Sequence, residues 1–359
     1  MVYSATQGQE QLNRMGAQNI PTFFLIDYSA QRWFVSPLAT LHSWNLGFNF
    51  HRPSIPENSR SHFREGNWHN KNSTPETVRI SHTRLPSRQD YLRGFEFIQN
   101  QQRMGNSFLC NLTFPSRIDL STDQPHSKAQ PHELLYRVFQ QTRAECRLLV
   151  LDPRITNKPF CVFSPEGFVS IRDAIIDSKP MKGTRLALPD RNVQSELAAL
   201  MADNKEDAEH RTIVDLIRND LGIISQRVWV DSYRYAQQIH VPKGILWATS
   251  SRICGQLQED WRSEIGTTLG ALLPAGSITG APKKETCRII EHAEVDQRGY
   301  YTGVAGVLGP WGLDSWVLIR YIEHDGDGFC FRSGGGITIY SKPEDEYAEL
   351  EAKIALPRG

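Results

Sequence analysis

The sequence predicts an α+β fold. Its strand-like stretches come in groups with helices between them, not in the strict β-α alternation of a doubly wound parallel sheet. Residues 107–114, "SFLCNLTF", set Phe108, Cys110, Leu112 and Phe114 at alternate positions, as a half-buried strand requires. Residues 203–222 set Ile213, Val214, Ile217 and Leu221 on one helical stripe, with Gly222 as the stop.

In chain order, residues 1–19 are polar and rich in Gln and Asn, and predict a disordered tail. Residues 20–84 predict a short N-terminal extension packing on a main domain at 85–357, with a strand at 22–28. Residues 51–76 are loaded with Pro, Asn, Ser and Arg and show no period, so they predict a long loop. From Asp90, residues Leu92, Phe95 and Ile98 recur at helical spacing and Gly105 suits the C-terminal stop. Further strands are expected at 147–151, 160–163, 168–171, 227–230, 302–308, 315–323 and 328–333. Further helices are expected at 191–202, 204–221, 281–293 and 343–354. No internal repeat is visible.

The 40 basic and 40 acidic side chains cancel, which argues against a nucleic-acid or membrane-surface role. No apolar run approaches the ~20 residues of a membrane span, and the N-terminus has no apolar signal core, so a cytoplasmic location is expected. The six cysteines show no Cys-x-x-Cys spacing and read as reduced thiols. Cys110, Cys161, Cys254, Cys287 and Cys330 are expected to fill core space.

Four constellations bear on chemistry. In "DNKEDAEHRTIVDLIRNDLG", Asp203 and Glu206 form a capping-box pattern, and Glu206 and Glu209 project from one face. In "SKPEDEYAELEAK", Ser341 and Glu344 read as a cap, and Glu346 and Glu349 repeat the spacing. Either pair alone reads as a solvated acidic face. Brought together, two carboxylates about 6 Å apart repel by roughly 3 kcal/mol at an effective dielectric of 20, so such a cluster persists only if protonated or around a cation. All-oxygen ligands completed by water and an anionic substrate describe Mg²⁺. In "PAGSITGAPKKETCRIIEHAE", Thr279 or Gly280 caps a helix with Pro282 in its first turn. The segment is either an ordinary glycine-rich loop or an anion-binding helix end. Gly334, Gly335 and Gly336 follow a strand and mean a sharp turn or backbone pressed on a ligand. Arg320 closes "WVLIR" as an ion pair or a carboxylate clamp. Finally "DSKPMKGTR" holds Lys182 in a loop between Pro180 and Gly183, where a lone lysine would ordinarily be a solvated charge.

Read together, "NLTFPSR", "FSPEGF", "PMKGTR", "EDAEHRTIVDLIRNDLG", "GSITGAPKKE", "RGYYTGVAG" and "SGGGITIYSKPEDEYAEL" run in one order over residues 90–356. In this the chain resembles the chorismate-binding enzymes, closest to their aminodeoxychorismate synthase component I (para-aminobenzoate synthase component I) branch. The resemblance implies two stacked, mainly antiparallel β-sheets flanked by helices, with chorismate and Mg²⁺ in the cleft between. It implies Glu206, Glu209, Glu346 and Glu349 as the metal site, with Glu206 also in the catalytic set. Thr184, Thr279, Gly280, Tyr301, Arg320 and the backbone of Gly334, Gly335 and Gly336 would meet substrate. Lys182 would attack C2 of chorismate as the C4 hydroxyl leaves, and ammonia would then add at C4 and displace it. That role requires a site that favours the free amine.

Other branches fit less well. The anthranilate type resembles this segment but carries alanine where Lys182 stands, and the leucine-leucine-glutamate-serine stretch of tryptophan-binding relatives has no counterpart here. The isochorismate and salicylate types use a lysine base where this chain has Leu109. Ala248, Val307 and Leu350 depart from the family pattern. No segment resembles a glutaminase, so ammonia would come from a separate glutamine amidotransferase subunit. A second enzyme would release pyruvate to give 4-aminobenzoate for folate. The alternatives are an anthranilate or 2-amino-2-deoxyisochorismate synthase component I, and a catalytically silent chorismate-binding protein.

Overall fold

A computed structural model describes residues 1–63, 77–123, 129–188, 192–241 and 244–356. The first elements are β1 (Val2–Tyr3), α1 (Ala5–Ala17), β2 (Thr22–Ile26), β3 (Trp33–Pro37), β4 (Leu46–Phe50), α2 (Glu57–Arg60), β5 (Ser61–Phe63), β6 (Val78–Arg84), α3 (Arg88–Arg103) and β7 (Leu109–Thr122). There follow α4 (Pro131–Gln141), β8 (Cys146–Val150), β9 (Phe160–Ser164), β10 (Gly167–Arg172), β11 (Ile175–Ser178), β12 (Met181–Ala187), α5 (Val193–Ala202), α6 (Asn204–Ile224), β13 (Arg227–Val241) and β14 (Gly244–Gln256). The chain closes with α7 (Ile265–Leu272), β15 (Gly280–Ala281), α8 (Lys283–Ala293), β16 (Val304–Gly309), β17 (Gly312–Val317), β18 (Tyr321–His324), β19 (Phe329–Ile337) and α9 (Pro343–Ala352).

The strands form two sheets, and every pairing among the described residues is antiparallel. The first runs β1-β3-β2-β16-β17-β10-β11-β14-β12, with β13 also on β14. The second runs β15-β7-β19-β18-β9-β8-β4-β5, with β6 also on β7. Strand period explains the layering, because alternate residues face opposite sides. Phe23 and Leu25 of β2 join Phe48, Phe50, Phe160 and Trp316 in a core between the sheets. Phe24 and Ile26 face the other way, onto α1, α6 and α7. On the second sheet, Phe160 and Val162 face inward while Cys161 and Phe163 pack under α4. Helices α3, α8 and α9 cover the β7 end through Phe95, Ile289 and Leu350. The two-sheet α+β architecture thus stands as expected.

Several local expectations do not. Residues 1–19 are not a disordered tail: α1 buries Leu12 and Met15. Its glycines let it lie close, with Gly8 against the Trp33 side chain and Gly16 against the Arg262 carbonyl. Asn13 Oδ1 accepts from the Gly266 amide at 2.6 Å, tying α1 to the start of α7. A polar helix with a narrow apolar stripe looks like a tail when only composition is read. Residues 20–84 are more than an extension, since β2 lies inside the first sheet between β3 and β16 and β4 inside the second. The loop expected at 51–76 contains α2 and β5, and residues 64–76 lie outside those described.

Helix α6 runs past Gly222 to Ile224. The N-cap of α8 is Pro282 and that of α9 is Lys342, one to three residues beyond the expected caps. Leu92 and Phe108, both assigned to buried faces, are exposed. Cys287 is only partly buried, whereas the other five free thiols are buried.

Truncating Leu12 to Ala should cost about 2–5 kcal/mol, as for other fully buried leucines. Urea unfolding monitored by circular dichroism would show it, and an unchanged midpoint would mean that α1 is not docked.

Candidate active site

Lys182 sits in strand β12, not in a loop. The ladder pairs Met181 with Ser250 and Lys182 with Thr249, then slips so that Thr184 faces Ala248. The extra residue is Gly183, with φ of 75°. This is a β-bulge, the device by which strands re-aim side chains near active sites. Thr249 Oγ1 donates to the Lys182 carbonyl and pins the bulge. The positive φ favours glycine there, and a Cβ would also lie 2.9 Å from Glu206 Oε2, which would have to move aside.

Lys182 lines a cavity of about 160 Å³, whose floor is Gly334, Gly335 and Gly336. These glycines are not a turn after a strand. They lie within β19, paired with Thr113, Leu112 and Asn111 of β7. Lacking side chains, they leave the strand bare. A Cβ on Gly336 would stand 3.8 Å from Lys182 Nζ and 3.0 Å from Leu109 Cδ1. One on Gly335 would stand 3.1 Å from Glu346 Oε2 and 3.8 Å from Glu349 Oε1.

Tyr301 and Arg320 line the same cavity. The strand expected at 315–323 breaks here into β17 and β18. Arg320 has φ of 54° and Thr302, also in the lining, has φ of 60°. Left-handed backbone is rare for a β-branched residue and costs about 1–3 kcal/mol per site. The strain is held by bonds from the Thr302 amide to the Leu318 carbonyl (2.8 Å) and from the Phe163 amide to the Arg320 carbonyl (3.1 Å). Arg320 Nη1 donates to the Lys353 carbonyl at 2.5 Å, so the guanidinium is anchored to the end of α9. Burial lowers the Arg320 pKa, and burial pushes the Tyr301 phenol up to about 12, so Tyr301 stays a donor.

The sequence reading missed Glu166, which lines the cavity together with Lys182. Ser277 Oγ donates to its Oε1 at 2.5 Å. Burial raises its pKa above the usual carboxyl value, against the opposing pull of Ser277, Lys182 and Lys353. A carboxyl whose pKa burial raises, in the same cavity lining as an amine, is the feature that "FSPEGF" contained but did not advertise. Also missed were Lys353, which donates to the Gly334 carbonyl (2.6 Å) and pairs with Glu349 (2.7 Å), and Arg332, held by Glu323 and Asp296.

Other expected contacts fall elsewhere. Thr279 is fully buried and its hydroxyl donates to the Ala275 carbonyl at 2.9 Å, so Ser277 and Ile278 supply that wall instead. Gly280, with φ of 140°, is pressed against the Leu109 carbonyl and pairs with Cys110 away from the cavity. The Thr184 side chain lies outside the described residues. Ala248, Val307 and Leu350 are buried packing positions.

The four acids come from helices on two flanks. Asp203 Oδ1 accepts from the Glu206 amide at 3.1 Å, as the cap pattern requires, and turns α6 towards Gly183. Glu209 follows one turn on and is half-buried. Helix α9 leans Glu346 and Glu349 over Gly335. Among the described residues, no three His, Cys, Asp or Glu side chains are grouped closely enough to ligate one ion. In kind, the donors fit a hard cation: all are carboxylate oxygens, and a glycine at each flank leaves the space that a Cβ would fill.

A family signature described as chorismate binding enzyme matches residues 22–358. The chain belongs to the chorismate-binding enzyme family. It is 39% identical over 352 residues to an uncharacterized PabA-like protein of Haemophilus influenzae (strain ATCC 51907 / DSM 11121 / KW20 / Rd), covering 97% of this chain and 95% of the relative. It is 36% identical over 206 residues to aminodeoxychorismate synthase component 1 of Bacillus subtilis (strain 168), covering 55% of this chain and 42% of that one. The fold is similar to that of MenF, the menaquinone-specific isochorismate synthase of Escherichia coli. The TM-score is 0.70 at 16% identity, over 98% of this chain and 82% of that one. No helix among the described residues is long and apolar enough to cross a membrane.

The raised Glu166 pKa has a sign that can be tested. The folded chain holds this proton more tightly than the unfolded chain, so the associated stability is present below about pH 4.5 and lost as pH rises through the folded value. Glu166→Gln is expected to flatten that decline. Urea midpoints across about pH 4 to 8 provide the measurement, and an unaltered slope would refute the burial argument.

Proposed function

We propose that this chain aminates chorismate at C4 to give 4-amino-4-deoxychorismate, using ammonia from a glutamine amidotransferase partner. The observation that carries the reading is that Lys182 and Glu166 line one cavity, an amine together with a carboxyl whose pKa burial raises. Around them stand Arg320, Lys353 and the Tyr301 hydroxyl, suited to a dianionic substrate.

In this reading the Lys182 Nζ lone pair bonds to C2. The C1=C2 and C5=C6 double bonds shift to C1=C6 and C4=C5, and the C4 hydroxyl leaves as water with the Glu166 proton. Ammonia bonds to C4, the double bonds return, and the C2–N bond breaks to free Lys182. The new C4 ammonium returns a proton to Glu166. Arg320 and Lys353 hold the carboxylates, and the bare Gly334–Gly336 strand lets the ring lie against backbone. Mg²⁺ would supply neutralisation of one substrate carboxylate; Glu206 and Glu209 on one flank and Glu346 and Glu349 on the other are the carboxylates that would hold it, and they would have to draw closer together to share one ion. Leu109, apolar and against Gly336, offers no base to activate water at C2. That favours amination over hydration.

The test is incubation with chorismate, Mg²⁺ and an ammonium salt at alkaline pH, with products identified by mass and by lyase-coupled conversion to 4-aminobenzoate. Fluorescent anthranilate as the product would overturn the reading, and unconsumed chorismate would point to a silent binding protein. Lys182→Ala should abolish the C4-aminated product, and unchanged turnover in that variant would remove the covalent role. Glu166→Gln should lower kcat about 10²–10⁴-fold, the usual contribution of a general acid.

A further inference from the structure

Behind the cavity, and outside its lining, lies a buried ion pair. Arg298 is 2% exposed, and its guanidinium forks onto Glu294, with Nε 2.9 Å from Oε2 and Nη2 2.6 Å from Oε1. The remaining donors go to three separate parts of the chain. Nη1 donates to the Ile278 carbonyl at 2.8 Å and to Thr302 Oγ1 at 3.4 Å, and Nη2 to the Asn111 carbonyl at 2.8 Å. Glu294 in turn accepts from the amide and hydroxyl of Thr113, both at 2.8 Å. Asn111, Ile278 and Thr302 all line the cavity. Tyr301, another wall residue, donates its amide to the Arg298 carbonyl at 3.1 Å.

We infer that Arg298 and Glu294 form a positioning pair, which fixes the Asn111, Ile278 and Thr302 walls of the reaction cavity relative to one another. A buried ion pair is a poor source of net stability, because desolvation offsets its attraction and an apolar pair of similar volume often does as well. An apolar pair cannot, however, hold two backbone carbonyls and a hydroxyl from three segments in one plane. The rigid five-donor fork of arginine can, and the compact ammonium of lysine cannot. Thr302 is the segment that needs this most, since its left-handed backbone stores strain that surrounding bonds must over-determine. The benefit is therefore geometric: a wall displaced by about 1 Å can cost on the order of 10²-fold in rate.

The inference deepens the chorismate reading and rests on it. The experiment compares wild type, Arg298→Lys, Glu294→Gln and the double variant Arg298→Met/Glu294→Leu. Each is first checked for a cooperative melt, then for chorismate affinity by calorimetry, then for steady-state kinetics in chorismate and in ammonia. Arg298→Lys and the double variant should fold, with kcat/KM for chorismate down about 10–100-fold and KM for ammonia unchanged. Glu294→Gln, which keeps one acceptor, should show a smaller loss of the same kind. Folded variants with wild-type kcat/KM would overturn the proposal. So would failure of all three to fold, because the pair would then be structural. Wild type that neither binds nor consumes chorismate would instead sink the functional reading, and the two failures are told apart by that control.

Discussion

Much of this molecule follows from sheets that are buried on both faces. The central strands divide their side chains between two cores, as β2 does with Phe23 and Leu25 on one side and Phe24 and Ile26 on the other. Neither layer has room for unpaired charge, since an isolated ion in such surroundings costs several kcal/mol. Polar chemistry is pushed to where the packing stops: between β12, at the end of one sheet, and the glycine-bare stretch of β19 in the other. Arg332 enters the interior held on Glu323 and Asp296.

The cavity is one of several places where the backbone departs from its preferred conformations; Asn19, Ala30, Asp173, Ala174 and Arg234 do so elsewhere. Thr302 and Arg320 both take left-handed angles there, and Gly183 takes one at the bulge. The three lie on different segments, yet all border the same space or the residue that reaches into it. Strained backbone beside a cavity is one way in which a fold holds side chains against their local preference. Lys353 adds a link, since its carbonyl receives Arg320 while its ammonium spans Glu349 and the Gly334 carbonyl.

What could be read from the sequence was what repeats locally. The apolar stripe of α6, its Asp203 cap, the alternation of Cys110, Leu112 and Phe114, and the placement of most strands all rest on short periods, and the structure shows them. Lys182, Tyr301, Arg320, the three glycines and Glu349 were all named from motifs, and they line one cavity. Hidden were features set by distant partners. Helix α1 needs Trp33 and Gly266 to show its buried face. Glu166 looks like any surface acid until Ser277 and Lys182 are brought round it. The resemblance implied Thr279 as a substrate contact, whereas its hydroxyl is spent on the turn itself. Strands β3, β4, β6 and β14 carry too weak a period to stand out before their neighbours are known.

The bulge at Gly183 turns the placement of the reactive amine into a question of odd and even. Along a regular strand, neighbouring side chains point to opposite faces, so one residue more or less inverts everything downstream. Loss of Gly183 would restore a regular ladder against Thr249 and Ala248, and Lys182 could no longer keep its present face without inverting the register that follows. Homologous chains that differ by a single insertion or deletion in this strand should therefore differ in kind rather than degree. They would carry the amine in the cleft or have none there at all.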